Sequence, residues 1–290
     1  MLSTEDLVSF FEKKKKRAQH IDPSCLPLVE QIAELTLRPS KRIRPYLVKL
    51  GHQTVIARSE ATRQSQTKTE IASPARRDRN DILVHAMLAV EIFHSFALIH
   101  DDIMDGDIER RGGPTVHVQV GVSLAMLAGD LALVWADECM GEAIWLSLRV
   151  KRSNLSKRGI AASPSAPRND IRAWEIYQQM KEKVVFGQTL DVMKQSGNKN
   201  ISQDKINELK TAWYSVVRPL QIGAVLAGAS EKTLTNLARY GVPVGMLFQL
   251  KDDLMDKEIR QKEFDQRIVP LQKKVKDALG ALGDPEMLRD

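Results

Sequence analysis

The sequence predicts an all-α protein, a large antiparallel helical bundle around a central cavity, interrupted by two loop insertions. Three observations carry this. Alternating β patterns are scarce in a chain of 290 residues. Ala, Leu, Met, Lys and Glu abound while only 5% of the residues are aromatic, and those straight-chain residues lose little freedom in a helix. Gly and Pro collect at expected breaks, Gly112-Gly113-Pro114 and Gly241-Val242-Pro243.

In chain order the helical runs are Leu83 to Asp105, Leu124 to Leu148, Trp174 to Met193 and Val242 to Asp256. Each is apolar over more than a narrow stripe, as in a large bundle whose interior is lined from several sides. Two segments, 57–81 and 149–172, lack that period. They also resemble each other: Ile71-Ala72-Ser73-Pro74 runs to Arg79-Asn80-Asp81-Ile82, and Ile160-Ala161-Ala162-Ser163-Pro164 runs to Arg168-Asn169-Asp170-Ile171. Both read as disordered insertions in one domain spanning 1–290.

The same segments explain the charge. The formal net charge is +6, and these two stretches hold thirteen Lys/Arg against five Asp/Glu, so the remainder is slightly acidic. A basic groove interleaved with aromatics is missing, which argues against nucleic acid. Cys25 and Cys139 form no metal knuckle or disulfide framework, the N-terminus has no apolar leader, and no long uninterrupted apolar window suggests a membrane span. A cytoplasmic protein is expected.

The chemistry lies in a repeated acidic pattern, Asp101-Asp102-Ile103-Met104-Asp105 and Asp252-Asp253-Leu254-Met255-Asp256. Each closes an apolar helix, and its first and last Asp share a face. Crowded carboxylates at the negative end of a helix dipole need a cation. Oxygen ligands without His or Cys point to Mg²⁺, which takes one or two carboxylates plus substrate phosphates. A calcium loop is excluded, because the third position is Ile103 and the twelfth Gly112.

Cations accompany the acids. Arg110 and Arg111 follow the first cluster, and Ser40-Lys41-Arg42-Ile43-Arg44-Pro45 supplies more. His94 stands seven residues before Asp101, Gln249 three before Asp252, Gln188 three before Asp191, and Lys210-Thr211 open another apolar helix. With no Gly-rich phosphate loop, metal-assisted departure of diphosphate from an apolar substrate fits best.

On these residues the chain resembles the trans-isoprenyl diphosphate synthases of the polyprenyl synthetase family, from about Lys41 to Asp256. Leu98-Ile99-His100-Asp101 to Asp105 with Arg110-Arg111-Gly112 is similar to the family's first aspartate-rich motif, and Phe248 to Asp256 to the second. The resemblance implies the isoprenoid synthase fold and a homodimer. It implies Mg²⁺ at Asp101, Asp102, Asp105, Asp252, Asp253 and Asp256, with Asp101, Asp105 and Asp252 binding directly. Arg110, Lys210, Thr211 and Gln249 would hold an allylic diphosphate, and Lys41, Arg44, His94 and Arg111 isopentenyl diphosphate. Asp101, Asp102, Asp105, Arg110, Lys210 and Asp252 would carry catalysis.

Phe96 and Ala97 would set product length, C20 favoured and C15 next. A terpene cyclase would instead resemble its own family through an Asn/Ser/Glu triad where Asp252 to Asp256 stands. Two departures separate the chain from the family pattern: Pro39-Ser40 replaces Gly-Gly before Lys41, and the region after 256 is shortened. A non-catalytic subunit or a decayed copy is the alternative.

Overall fold

The computed structural model describes residues 1–63, 75–157, 166–255, 257 and 259–282. Over the described residues the protein is all-α apart from one two-stranded ribbon. Its helices are α1 (Thr4–Ile21), α2 (Leu26–Leu37), α3 (Ile43–Arg63), α4 (Ala75–Asp105), α5 (Val116–Val120), α6 (Val122–Lys157), α7 (Ala166–Gln195), α8 (Gln203–Asn207), a π-helix (Glu208–Val217), α9 (Arg218–Leu226), α10 (Glu231–Met255) and α11 (Gln261–Ala281). The ribbon pairs β1 (Glu109–Arg110) antiparallel with β2 (Gly113–Pro114).

The helices reach into both expected insertions: α3 continues to Arg63, α4 starts at Ala75, α6 runs to Lys157 and α7 starts at Ala166. The centres of those insertions, 64–74 and 158–165, lie outside the described residues. A second difference is at Gly241-Val242-Pro243, expected as a break. Here α10 runs straight through Pro243. A Cβ on Gly241 would stand 2.9 Å from Val217, and one on Gly245 only 2.4 Å from the Ala212 Cα. The small residues therefore serve close packing against the π-helix, which offsets the hydrogen bond lost at proline.

Two compact units divide the chain. The first comprises Met1–Tyr46 and Arg77–Leu146. Its core is built from α1, α2, α4 and α6, with Leu7, Phe11, Ile32, Leu35, Ile92, Phe93, Ile99 and Met140 fully buried. Ser3 and Asp6 form a capping box that starts α1. Phe10, Phe11 and Trp135 meet edge to face, and Lys14 lies over the Phe10 and Trp135 rings while pairing with Glu138. By length and apolarity Asn80–Asp105 could cross a bilayer, yet most of its apolar stretch is buried in this core and carries Glu91 and His94.

The second unit comprises Leu47–Arg76 and Ser147–Asp290. There α3 and α9 meet backbone to backbone: a Cβ on Gly51 would fall 2.0 Å from the Leu220 carbonyl oxygen, and one on Gly223 1.8 Å from that of Val48. Tyr177, Ile176, Met180, Ile206 and Leu220 fill the interior. Pro219 cannot donate to the Ser215 carbonyl and its ring crowds it, which accords with the widened turn before α9.

Candidate active site

In the first unit α4 ends at Asp105, and Gly106 at φ 71° turns the chain left-handed. The Asp107 N–H then donates to the Asp102 carbonyl at 3.0 Å, the long bond of a Schellman end. The three acids part company here. Asp101 is half-buried, Asp105 exposed, and Asp102 buried. Burial pushes the Asp102 carboxyl above its usual pKa, against the pull of Arg110. Arg110 donates from Nε to Asp102 Oδ1 at 2.7 Å and from Nη2 to Asp107 Oδ2 at 2.6 Å. Asp102 Oδ2 is buried and accepts no hydrogen bond.

The ribbon aims the basic pair. Arg111 (φ 54°) and Gly112 (φ 73°) occupy a two-residue turn between Arg110 and Gly113, and two positive φ values there mark a type I′ hairpin. Arg38 supports it from below, donating to the carbonyls of Arg110 at 2.8 Å and Pro114 at 3.0 Å. A Cβ on Gly113 would meet the Arg38 guanidinium at 2.8 Å. Thr115 closes the base by donating from Oγ1 to the Asp107 carbonyl at 2.8 Å. Arg111 reaches the Leu35 carbonyl at 3.3 Å.

Behind the ribbon stand His94 and the start of α3. Burial, and then Arg44, Arg111 and Arg110, hold His94 well below its usual pKa, so it is neutral. These residues form one electropositive cluster, and Glu91 is its buried anion, 3.7 Å from Arg42. Phe96 stacks between Phe93 at 5.2 Å and His100 at 4.8 Å, while Ala97 is half-buried one turn before Asp101.

In the second unit the π-helix carries Lys210 and Thr211. Gly187 lets α7 approach it, since a Cβ there would lie 2.8 Å from Lys210 Cγ. Lys210 pairs with Asp191 at 2.7 Å. Thr211 donates to Gln249 Oε1 at 2.6 Å, and Gln249 donates onward to Asp253 Oδ1 at 2.7 Å. Asp253 is buried and Asp252 half-buried. Asp256 lies outside the described residues. Among the described residues no three His, Cys, Asp or Glu side chains are grouped to hold a metal ion unaided.

Sequence reasoning missed Glu91, Asp107, Thr115 and Arg38, and named Arg42 among the cations without giving it a role. Glu91 had a signal: it is the one charged residue in the apolar stretch from Ile82 to Phe93, three residues before His94.

Comparisons with known proteins identify the family and the fold. The polyprenyl synthetase family model matches residues 26–269. The geranylgeranyl diphosphate synthase of Sulfolobus acidocaldarius is 32% identical over 183 residues, 62% of this chain and 49% of that protein. That of Methanosarcina mazei is 28% identical over 254 residues, covering 86% of this chain and 68% of that protein. The chain thus spans about half the length of the first of these relatives. In fold it is similar to a geranylgeranyl pyrophosphate synthase of Corynebacterium glutamicum, solved with isoprenyl diphosphate and magnesium (TM-score 0.66, 23% identity, 98% of this chain and 86% of that one). It is also similar to an FPP/GFPP synthase of Zymomonas mobilis (TM-score 0.68, 20% identity, 99% and 97%). With a family match over most of its length, the chain belongs to the polyprenyl synthetase family.

Proposed function

We propose that this chain is a Mg²⁺-dependent prenyltransferase that condenses isopentenyl diphosphate with an allylic diphosphate, releasing inorganic diphosphate and adding five carbons. The observation that carries the reading is the turn after α4, where Asp101 and Asp105 share a face and Asp102 is locked below them by Arg110. The donor set fits Mg²⁺: the oxygens are hard, Asp102 Oδ2 is an unmatched buried acceptor, and among the described residues too few carboxylates converge to complete a shell without substrate oxygens. Asp101 and Asp105 would hold the ion on the first unit, and Asp252, Asp253 and Asp256 on the second. When bound, Mg²⁺ neutralises charge growing on the leaving diphosphate.

The chain's own residues do the rest. Arg110, Lys210, Thr211 and Gln249 orient the allylic diphosphate. Arg110 and Lys210 are pre-aimed by their carboxylate partners, and Thr211 and Gln249 by each other. Lys41, Arg44 and Arg111 bind the second diphosphate as cations, and neutral His94 as a hydrogen-bonding group. The allylic diphosphate ionises to a carbocation and diphosphate, the double bond of isopentenyl diphosphate attacks the carbocation, and a proton is then lost to the departed diphosphate. C20 is the favoured product and C15 the next. A homodimer is supported by large apolar residues exposed along α6, Leu124, Met126, Leu127 and Val134.

The test is incubation with Mg²⁺, isopentenyl diphosphate and dimethylallyl, geranyl or farnesyl diphosphate. Extended products are expected, and Asp101→Ala should lower turnover by at least ~10². No product with any primer would refute the reading in favour of a non-catalytic subunit.

A further inference from the structure

We infer that Glu91 is a positioning residue for the diphosphate of isopentenyl diphosphate: it braces Arg42, Arg44 and Arg111 in the poses that the substrate meets. The inference deepens the proposed function and rests on it.

Glu91 lies on α4 and is 2% exposed. Its Oε1 is 3.7 Å from Arg42 Nη1, whose side chain is 12% exposed. That nitrogen is buried and makes no hydrogen bond, so the carboxylate is the anion that offsets its burial. Burial raises the Glu91 carboxyl pKa, and Arg111, Arg44 and Arg42, in falling order, pull it back. Three cations therefore act on this one anion. They come from two separate stretches, the run from Arg42 to Arg44 that opens α3 and the tip of the ribbon.

Backbone conformation adds an independent observation. Among the described residues three non-glycines have positive φ, and two of them are Arg42 (44°) and Arg111 (54°). A left-handed non-glycine residue is strained and persists only where its surroundings hold it. At Arg111 the hairpin turn holds that conformation, while Arg42 carries its guanidinium to 3.7 Å from the buried Glu91 carboxylate. Without it the three cations would repel one another and swing outward, and an incoming diphosphate would have to order them at a cost in affinity.

Charge alone predicts the opposite sign. An anion near a diphosphate pocket repels the ligand, so a purely electrostatic Glu91 would weaken binding and its removal would strengthen it. The isosteric Glu91→Gln distinguishes the two. We expect KM for isopentenyl diphosphate to rise about tenfold, with KM for the allylic substrate and kcat within about twofold of wild type. Arg42→Gln and Glu91→Gln should be less than additive in the isopentenyl diphosphate KM, because both changes remove the same brace. An isopentenyl diphosphate KM that is unchanged or lower, or an equal rise in both KM values, overturns the proposal.

Should Glu91→Gln fail to fold, Glu91→Asp keeps the charge with a shorter reach. It should raise the same KM by less, and an unchanged KM overturns the brace. Should wild type show no turnover, the proposed function fails by itself, and the brace is judged by calorimetry with inorganic diphosphate. Weaker binding by Glu91→Gln supports it; equal or tighter binding, or none by wild type, overturns it.

Discussion

Arg110 closes on Asp102: one oxygen, Asp102 Oδ1, takes both Nε at 2.7 Å and Nη2 at 2.6 Å, while the other accepts nothing. The acid in the middle of the first cluster is thus held beneath its neighbours. The pair also ties the end of α4 to β1, so the acidic turn and the basic ribbon move as one piece.

Removing either partner should therefore cost more than removing both. The Asp102 side chain is 1% exposed and that of Arg110 29%, and breaking such a pair from one side strands a charge. Arg110→Gln should destabilise the protein by about 2–4 kcal/mol. Adding Asp102→Asn should recover part of that loss, with a coupling of about 1–3 kcal/mol in urea unfolding. Additive losses would show that the two side chains do not depend on each other.

The helical class and the acids could be read from the sequence because both rest on repetition, helical periods in one case and a doubled five-residue pattern in the other. What Asp102 does could not. Asp101 and Asp102 are adjacent and identical in type, and only the Schellman turn at Gly106 and the fold-back of Arg110 make one half-exposed and the other buried. The π-helix was equally hidden. Lys210-Thr211 are visible as the opening of an apolar helix, but its wider turn depends on Pro219 and on the close approach of Gly187 and Gly245. Gly241 and Pro243 misled for the same reason: their local preference for a break is overruled by packing against that helix.

Acid should destabilise the fold through His94. Its imidazole, held well below the ordinary 6.5 by burial and then by Arg44, Arg111 and Arg110, protonates in the unfolded chain first. Below pH 6.5 the unfolded state then binds more protons, so this contribution is complete above 6.5 and is lost as pH falls through the folded pKa. His85, lowered mainly by burial, acts in the same direction. Glu91 and Asp102 have raised pKa values and act oppositely, which makes the variant comparison necessary. The urea midpoint of wild type should drop from about pH 7.5 to about pH 5.5, and His94→Gln should drop less. Equal drops would remove His94 as the cause.

Two glycines in helices should respond to alanine with opposite signs. At Gly223 the new Cβ would lie 1.8 Å from the Val48 carbonyl oxygen, so α3 and α9 must separate. Gly223→Ala should cost about 1–3 kcal/mol or more. At Gly141, exposed on α6, nothing lies within 4 Å. Gly141→Ala should stabilise by about 0.5–1 kcal/mol through helix propensity alone. Thermal unfolding of the two variants checks this, and a tolerated Gly223→Ala would mean that the α3–α9 contact is loose.

Product length should depend more on Ala97 than on Phe96. Ala97 is four residues before Asp101, about 6 Å down the helix axis on the same face, and it is half-buried. A tail anchored at the acids and running along α4 passes it first. Phe96 is turned about 100° away, and its ring is stacked between Phe93 and His100. Ala97→Phe should therefore put a ring directly in the tail's path and shift products strongly from C20 to C15. Phe96→Ala should open a gap that Phe93 still walls, lengthening products only modestly. Chromatography of the dephosphorylated products decides between them. A larger shift from Phe96→Ala would put the tail on the Phe93–Phe96–His100 face, and no shift in either variant would put it on another helix.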